Sequence, residues 1–188
     1  TSSHFIKPDL SRNSASACRD EVSLPSIFVL EVNHRNLPIT NHFVGLSIDI
    51  SFSNNPSIDF LAELWHNFHS RKSDIDNLKQ GGSEIRVGSP SENKDYLRYF
   101  VGAEIDNTKT QQEFTHFEMP TGHYVVCAFE VEDFHLLTTD ALDKAVKYMY
   151  VTCLPKNKIK TEPLMVELYL NNAQESAAME IWFKTDIR

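Results

Sequence analysis

Along residues 43–52 the chain alternates: Val44, Leu46, Ile48, Ile50 and Phe52 fall on one side, and Gly45, Ser47, Asp49 and Ser51 on the other. A period of two marks a strand with one buried face, because successive side chains leave opposite sides of the pleat. After the turn signal Asn54-Asn55-Pro56 the apolar spacing changes to Ile58, Leu61, Leu64, Trp65 and Phe68. That is the stripe of an amphipathic helix, with Ser57 at the N-cap position. Gly81-Gly82 then breaks the chain, and β-rich runs over 85–87 and 96–105 predict two strands. A short run over 27–33 predicts an earlier strand, suited to a sheet edge.

The same order returns in the second half. A strand is predicted over 124–131, and Leu142, Ala145, Val146, Met149 and Cys153 form the stripe of a helix over about 136–154, stopped by Pro155. Strands over 164–170 and 180–184 follow. Glu130, Glu132 and Asp133 read as a solvated turn placing negative charge at the helix's positive end. The expected fold is α+β: two strand-helix-strand-strand modules with antiparallel sheets, at about 27–112 and 113–188, after a polar tail or linker over 1–26. Each module alone covers only one face of a small sheet, so pairing them buries more apolar area. The groove between them is the expected ligand site.

Composition narrows the class of partner. With 41% hydrophobic and 23% charged residues among 188, an ordinary globular domain is expected, and no apolar run approaches the ~20 residues of a membrane helix. A net charge of −8, without a basic stripe, argues against direct contact with nucleic acid. Cys18, Cys127 and Cys153 are an odd number lacking a CxxC pair, which fits a reduced cytoplasmic setting with thiols buried as small apolar groups. His66 and His69 lie three apart on the first helix but without HExxH or a third ligand, so a solvated pair and no metal are expected. Nor is there a G-x-S-x-G elbow, a P-loop or a G-x-G-x-x-G turn, and no cofactor is expected.

Four segments in order carry a family likeness: Val44-Gly-Leu-Ser47 with Leu64-Trp-x-x-Phe68; Tyr99-Phe-Val-Gly102; Met119-Pro-x-Gly-x-Tyr124; and Leu154-Pro155 with Glu167-x-Tyr169 and Glu180-Ile-Trp182. The chain resembles the GyrI-like, or AraC-type effector-binding, family of small-molecule-binding domains. The resemblance implies two modules related by a pseudo-twofold, with a central groove lined by aromatics and one acidic residue. It also implies a function: sensing hydrophobic and often cationic drugs as the regulatory part of a transcription regulator. The DNA-binding domain would lie in the same chain or a partner, and a homodimer is one arrangement to expect. Other members stand alone, binding toxins or gyrase or hydrolysing strained cyclopropane compounds. Cys153 and Cys127 stand where family members commonly carry aromatics, which implies a wider or less cation-selective pocket.

Glu167 is the expected centre of the groove. In the run 164–170, Leu164, Val166, Leu168 and Leu170 share one face, taken to pack under a helix, so Met165, Glu167 and Tyr169 are expected on the opposite face. A carboxylate beside aromatics there needs a cation or hydrogen bonds, and an amphipathic cation can supply the charge. The family position puts Tyr99 in the groove, although a core tyrosine with a satisfied hydroxyl reads equally from the pattern. Trp65 is a wall at best, since it lies on its helix's apolar stripe. Tyr169 and Trp182 are groove wall or plain sheet surface, and Tyr124 completes the ligand-binding set. Glu167 as general base with Tyr99 as hydroxyl donor would be a minimal hydrolytic pair, but a binding groove needs the same residues.

Overall fold

The computed structural model describes residues 29–51, 58–106, 111–170 and 177–186; the tail over 1–26, Phe52 and the cap Ser57 lie outside them. Its strands are β1 Val29–Leu37, β2 Asn41–Ser51, β3 Glu84–Pro90, β4 Tyr96–Glu104, β5 Thr115–Met119, β6 Gly122–Glu130, β7 Thr161–Tyr169 and β8 Ala178–Thr185. The first helix is Ile58–Arg71. The second runs over 134–156 and contains two π turns, Leu137–Ala141 and Met149–Cys153, each widening the helix locally by one residue per turn. Asp133 caps it, its side chain accepting the Leu136 N–H at 2.9 Å, and Pro155 lies within its last α-helical segment. Among the described residues no helix is long and apolar enough to cross a membrane.

All eight strands join in one antiparallel sheet, in the order β1-β6-β8-β7-β3-β4-β2-β5. The duplication is visible in that order. β2, the first helix, β3 and β4 form one half; β6, the second helix, β7 and β8 form the other; and β3 pairs with β7 at the centre. The remaining strands are exchanged: β1 precedes β2 but pairs with β6, and β5 precedes β6 but pairs with β2. This forces the sheet to curl. In a flat sheet β1 and β2 would lie six strand spacings apart, about 29 Å. The chain between Leu37 and Asn41 reaches only about 14 Å.

Both helices lie on one face. The first packs Leu64 and Phe68 on Val44, Val101 and Ala103, and the second packs Leu142, Ala145, Met149 and Cys153 on Cys127, Phe129, Ile181 and Phe183. The opposite face is the inside of the curl. There Phe43 and Met119 from one end of the sheet meet Tyr124, Val126 and Trp182 from the other.

That division corrects two expectations. Val166, Leu168 and Leu164 pack into the cluster away from the helices, while Met165 and Tyr169 pack with the second helix. The expected orientation of the Glu167 strand is therefore reversed. β7 is a central strand apolar on both sides, so its alternation separates two faces without saying which one the helices cover. The second correction is β5, which was not anticipated, because Thr115-His-Phe-Glu-Met119 is short and three of its five residues are polar.

Candidate functional site

Two cross-strand rows on the helix-bearing face meet at the centre of the sheet. In the first, Leu46, Val101, Arg86, Glu167, Ile181 and Cys127 are direct neighbours across β2, β4, β3, β7, β8 and β6. The second lies two residues along: Ile48, Tyr99, Gly88, Met165 and Phe183. The first helix covers the β2–β4 side of these rows and the second covers the β6–β8 side. β3 and β7 run between the helices.

Arg86 and Glu167 form the polar centre. The carboxylate is 1% exposed, its Oε1 accepts from the Arg86 guanidinium, and its Oε2 accepts the Tyr169 hydroxyl at 3.0 Å. Burial disfavours the Arg86 charge, but the adjacent carboxylate outweighs it and holds the guanidinium above its ordinary pKa. Burial, with Glu167 adding to it, likewise pushes the Tyr169 hydroxyl well up, so it stays a neutral donor. A second buried acid, Glu84, lies opposite Tyr169 and binds Lys72 Nζ at 2.5 Å and His69 Nε2 at 3.0 Å. Trp65 closes this end: it meets Tyr169 edge-on at 5.6 Å and stacks on His69 at 5.2 Å.

Among the described residues the other end is open. Tyr99 packs with the first-helix cluster and Met165 with the second, and both are only partly buried. Between them Gly88 leaves a gap. A Cβ built there would find one atom within 4 Å, Tyr99 Cε1 at 3.8 Å, and the backbone is outside the left-handed region, so no turn or strain demands glycine. The result is an apolar shelf of Ile48, Tyr99 and Met165 with a hollow at Gly88, bordered by a neutralised ion pair.

Four of the expected site residues are therefore brought together, Glu167, Tyr169, Tyr99 and Trp65, on the face opposite to the one expected for Glu167 and Tyr169. Tyr124 and Trp182 are not with them. They lie inside the curl, packed edge to face at 5.4 Å. Tyr124 donates to the Pro120 carbonyl at 2.5 Å, and Trp182 donates to Glu180 at 2.9 Å beneath the Arg35 guanidinium. Glu167 bonds Arg86 and Tyr169, so the Glu167–Tyr99 hydrolytic pair has no direct expression in these hydrogen bonds. Cys127 and Cys153 fill the core under the second helix rather than lining the shelf; burial pushes Cys127 up to about 12. His66 is exposed, but His69 is not the solvated partner expected of it.

Arg86, Glu84 and Gly88 were missed. A signal was present: in Ile85-Arg-Val87 one charge interrupts a run with apolar neighbours on both sides, as happens when a central strand carries a buried charge toward a partner. Only the register reveals that the partner is Glu167.

Solved structures share this fold at low identity. The match to SAV2435 bound to tetraphenylphosphonium has a TM-score of 0.64 at 13% identity, covering 83% of this chain and 94% of that one. An integron cassette protein from the mobile metagenome of Vibrio cholerae matches at 0.58 and 11% identity, over 85% and 97%. The EcmrR C-terminal domain matches at 0.55 and 13%, over 85% and 99%. No curated protein matches the sequence. The family model for integron-associated effector binding proteins, Cass2, matches residues 41–183, most of the sheet and both helices. The chain belongs to that effector-binding family, of GyrI-like type.

Proposed function

We propose that this domain binds a hydrophobic organic molecule on the shelf at Gly88, between the two helices, with Tyr99 and Met165 in contact and the Arg86–Glu167 pair at its border. The observation that carries the reading is the gap between the helix clusters at Gly88: an apolar floor left partly exposed beside a buried carboxylate. Because Arg86 already neutralises Glu167, the ligand needs no positive charge. A cation is admitted only as Arg86, whose side chain keeps 20% of its surface in water, turns outward. SAV2435 is a relative in fold solved with tetraphenylphosphonium, and EcmrR, which carries a domain of this fold at its C-terminus, is solved in complex with DNA; both support a role as the sensing part of a transcription regulator. On that reading, ligand binding biases the pose of a DNA-binding domain in the same chain or a partner.

Thermal unfolding with two probes of similar shape tests the binding reading. Tetraphenylphosphonium and neutral triphenylphosphine oxide, each at ten times its dissociation constant, should raise the midpoint by about 3–6 °C. No shift with either at millimolar concentration counts against a ligand shelf.

A further inference from the structure

At the far edge of the sheet, β2 and β5 bring together three side chains with metal-binding chemistry. His42 lies directly opposite Glu118, and His116 lies opposite Val44, two residues along the same face. The register alone therefore puts His42, His116 and Glu118 side by side, since residues opposite one another and residues two apart share a face. One potential ligand atom from each lies within 4.8 Å of the others. Glu118 Oε1 is 3.8 Å from His42 Nδ1 and 3.9 Å from His116 Nδ1, beyond hydrogen-bond distance in both cases. His42 Nδ1 and His116 Nε2 are buried atoms with no hydrogen-bond partner among the described residues. A buried nitrogen left in this state costs about 1–3 kcal/mol.

We propose that His42, His116 and Glu118 form a binding site for a first-row divalent cation of borderline softness, with Zn2+ the preferred ion. Two imidazoles and one carboxylate suit Zn2+ and disfavour Mg2+ or Ca2+, which take all-oxygen sites. The ligand atoms need only close from their present spacing onto a common ion about 2.0–2.2 Å from each. The two imidazole planes are within 7° of parallel at 5.3 Å, so binding turns at least one ring about its terminal torsion. That torsion is soft, and both rings are partly in contact with solvent. Three protein ligands leave the fourth position to water. The site lies apart from the Gly88 shelf and does not depend on it. It also departs from the sequence reading, in which the only histidine pair considered was His66 and His69.

Calorimetric titration of the chelator-treated full chain with ZnCl2, with MgCl2 as control, tests this. The expected result is one saturable Zn2+ site and no Mg2+ site. The double variant His42→Ala/His116→Ala should lose it, and Glu118→Gln should weaken it by at least about tenfold, the loss that even an outer partner of a metal ligand produces. Glu118 is mostly in solvent, so Glu118→Gln carries the test should the histidine variant fail to fold. In nitrogen-resolved NMR of the wild type, the ring signals of His42 and His116 should shift at one equivalent. Absence of saturable Zn2+ binding, or binding unchanged in both variants, overturns the proposal.

Discussion

Arg86→Met should lower the unfolding free energy by about 3 kcal/mol, the lower end of the range for breaking a buried pair, because part of the guanidinium already touches water. What remains is a carboxylate 1% exposed, held by the Tyr169 hydroxyl alone of its two present partners. The second substitution Glu167→Gln should restore most of that loss: the amide carries no charge yet still accepts the Tyr169 hydroxyl. Urea unfolding of the two variants measures both effects, and equal stabilities would deny that the pair is coupled. The same substitution should change what the shelf selects. In the wild type, tetraphenylphosphonium and triphenylphosphine oxide should bind within about tenfold of each other, since the cation's attraction to Glu167 is offset by the cost of turning Arg86 away from it. In Arg86→Met the cation should gain at least about tenfold over the neutral probe, or 1.4 kcal/mol, by answering the exposed demand of Glu167.

Gly88→Val should have the opposite profile, sparing the fold and removing the ligand. Among the described residues the new Cβ meets only Tyr99 Cε1, at an ordinary contact distance, and a β-branched residue suits a strand better than glycine does. Stability should be unchanged or higher by up to about 1 kcal/mol. The two added methyl groups occupy the hollow between Tyr99 and Met165, so affinity for either probe should fall about 10- to 100-fold, or 1.4–2.7 kcal/mol. Isothermal titration against the wild type reads this directly. A stable Gly88→Val protein binding with wild-type affinity would move the ligand off the shelf.

The contrast between these variants reflects what could be read before the fold was known. Alternation over 43–51 and the stripe from Leu61 to Phe68 gave a strand and a helix that the structure keeps, because Val44, Leu46 and Ile48 pack with Leu64 and Phe68 of the first helix. The duplication was legible for the same reason. β7 was not, since Leu164, Val166 and Leu168 pack inside the curl while Met165 and Tyr169 pack under the second helix, and alternation between two buried faces carries no direction. Glu167 was singled out through its family position, and its strand was aimed to the wrong side. Its counter-ion stayed hidden, because Arg86 is 81 residues away in sequence and meets it only through the β3–β7 register. Glycine at 88 gave no sign of its role: the feature that matters there is the side chain it lacks.

The location of the ligand tests the account most directly. In a crystal of the chain soaked with tetraphenylphosphonium, the probe should sit on the helix-bearing face over Gly88, its rings against Tyr99 and Met165, with Arg86 turned away from Glu167. A probe lodged inside the curl against Tyr124 and Trp182, with the Arg86–Glu167 pair intact, would contradict it.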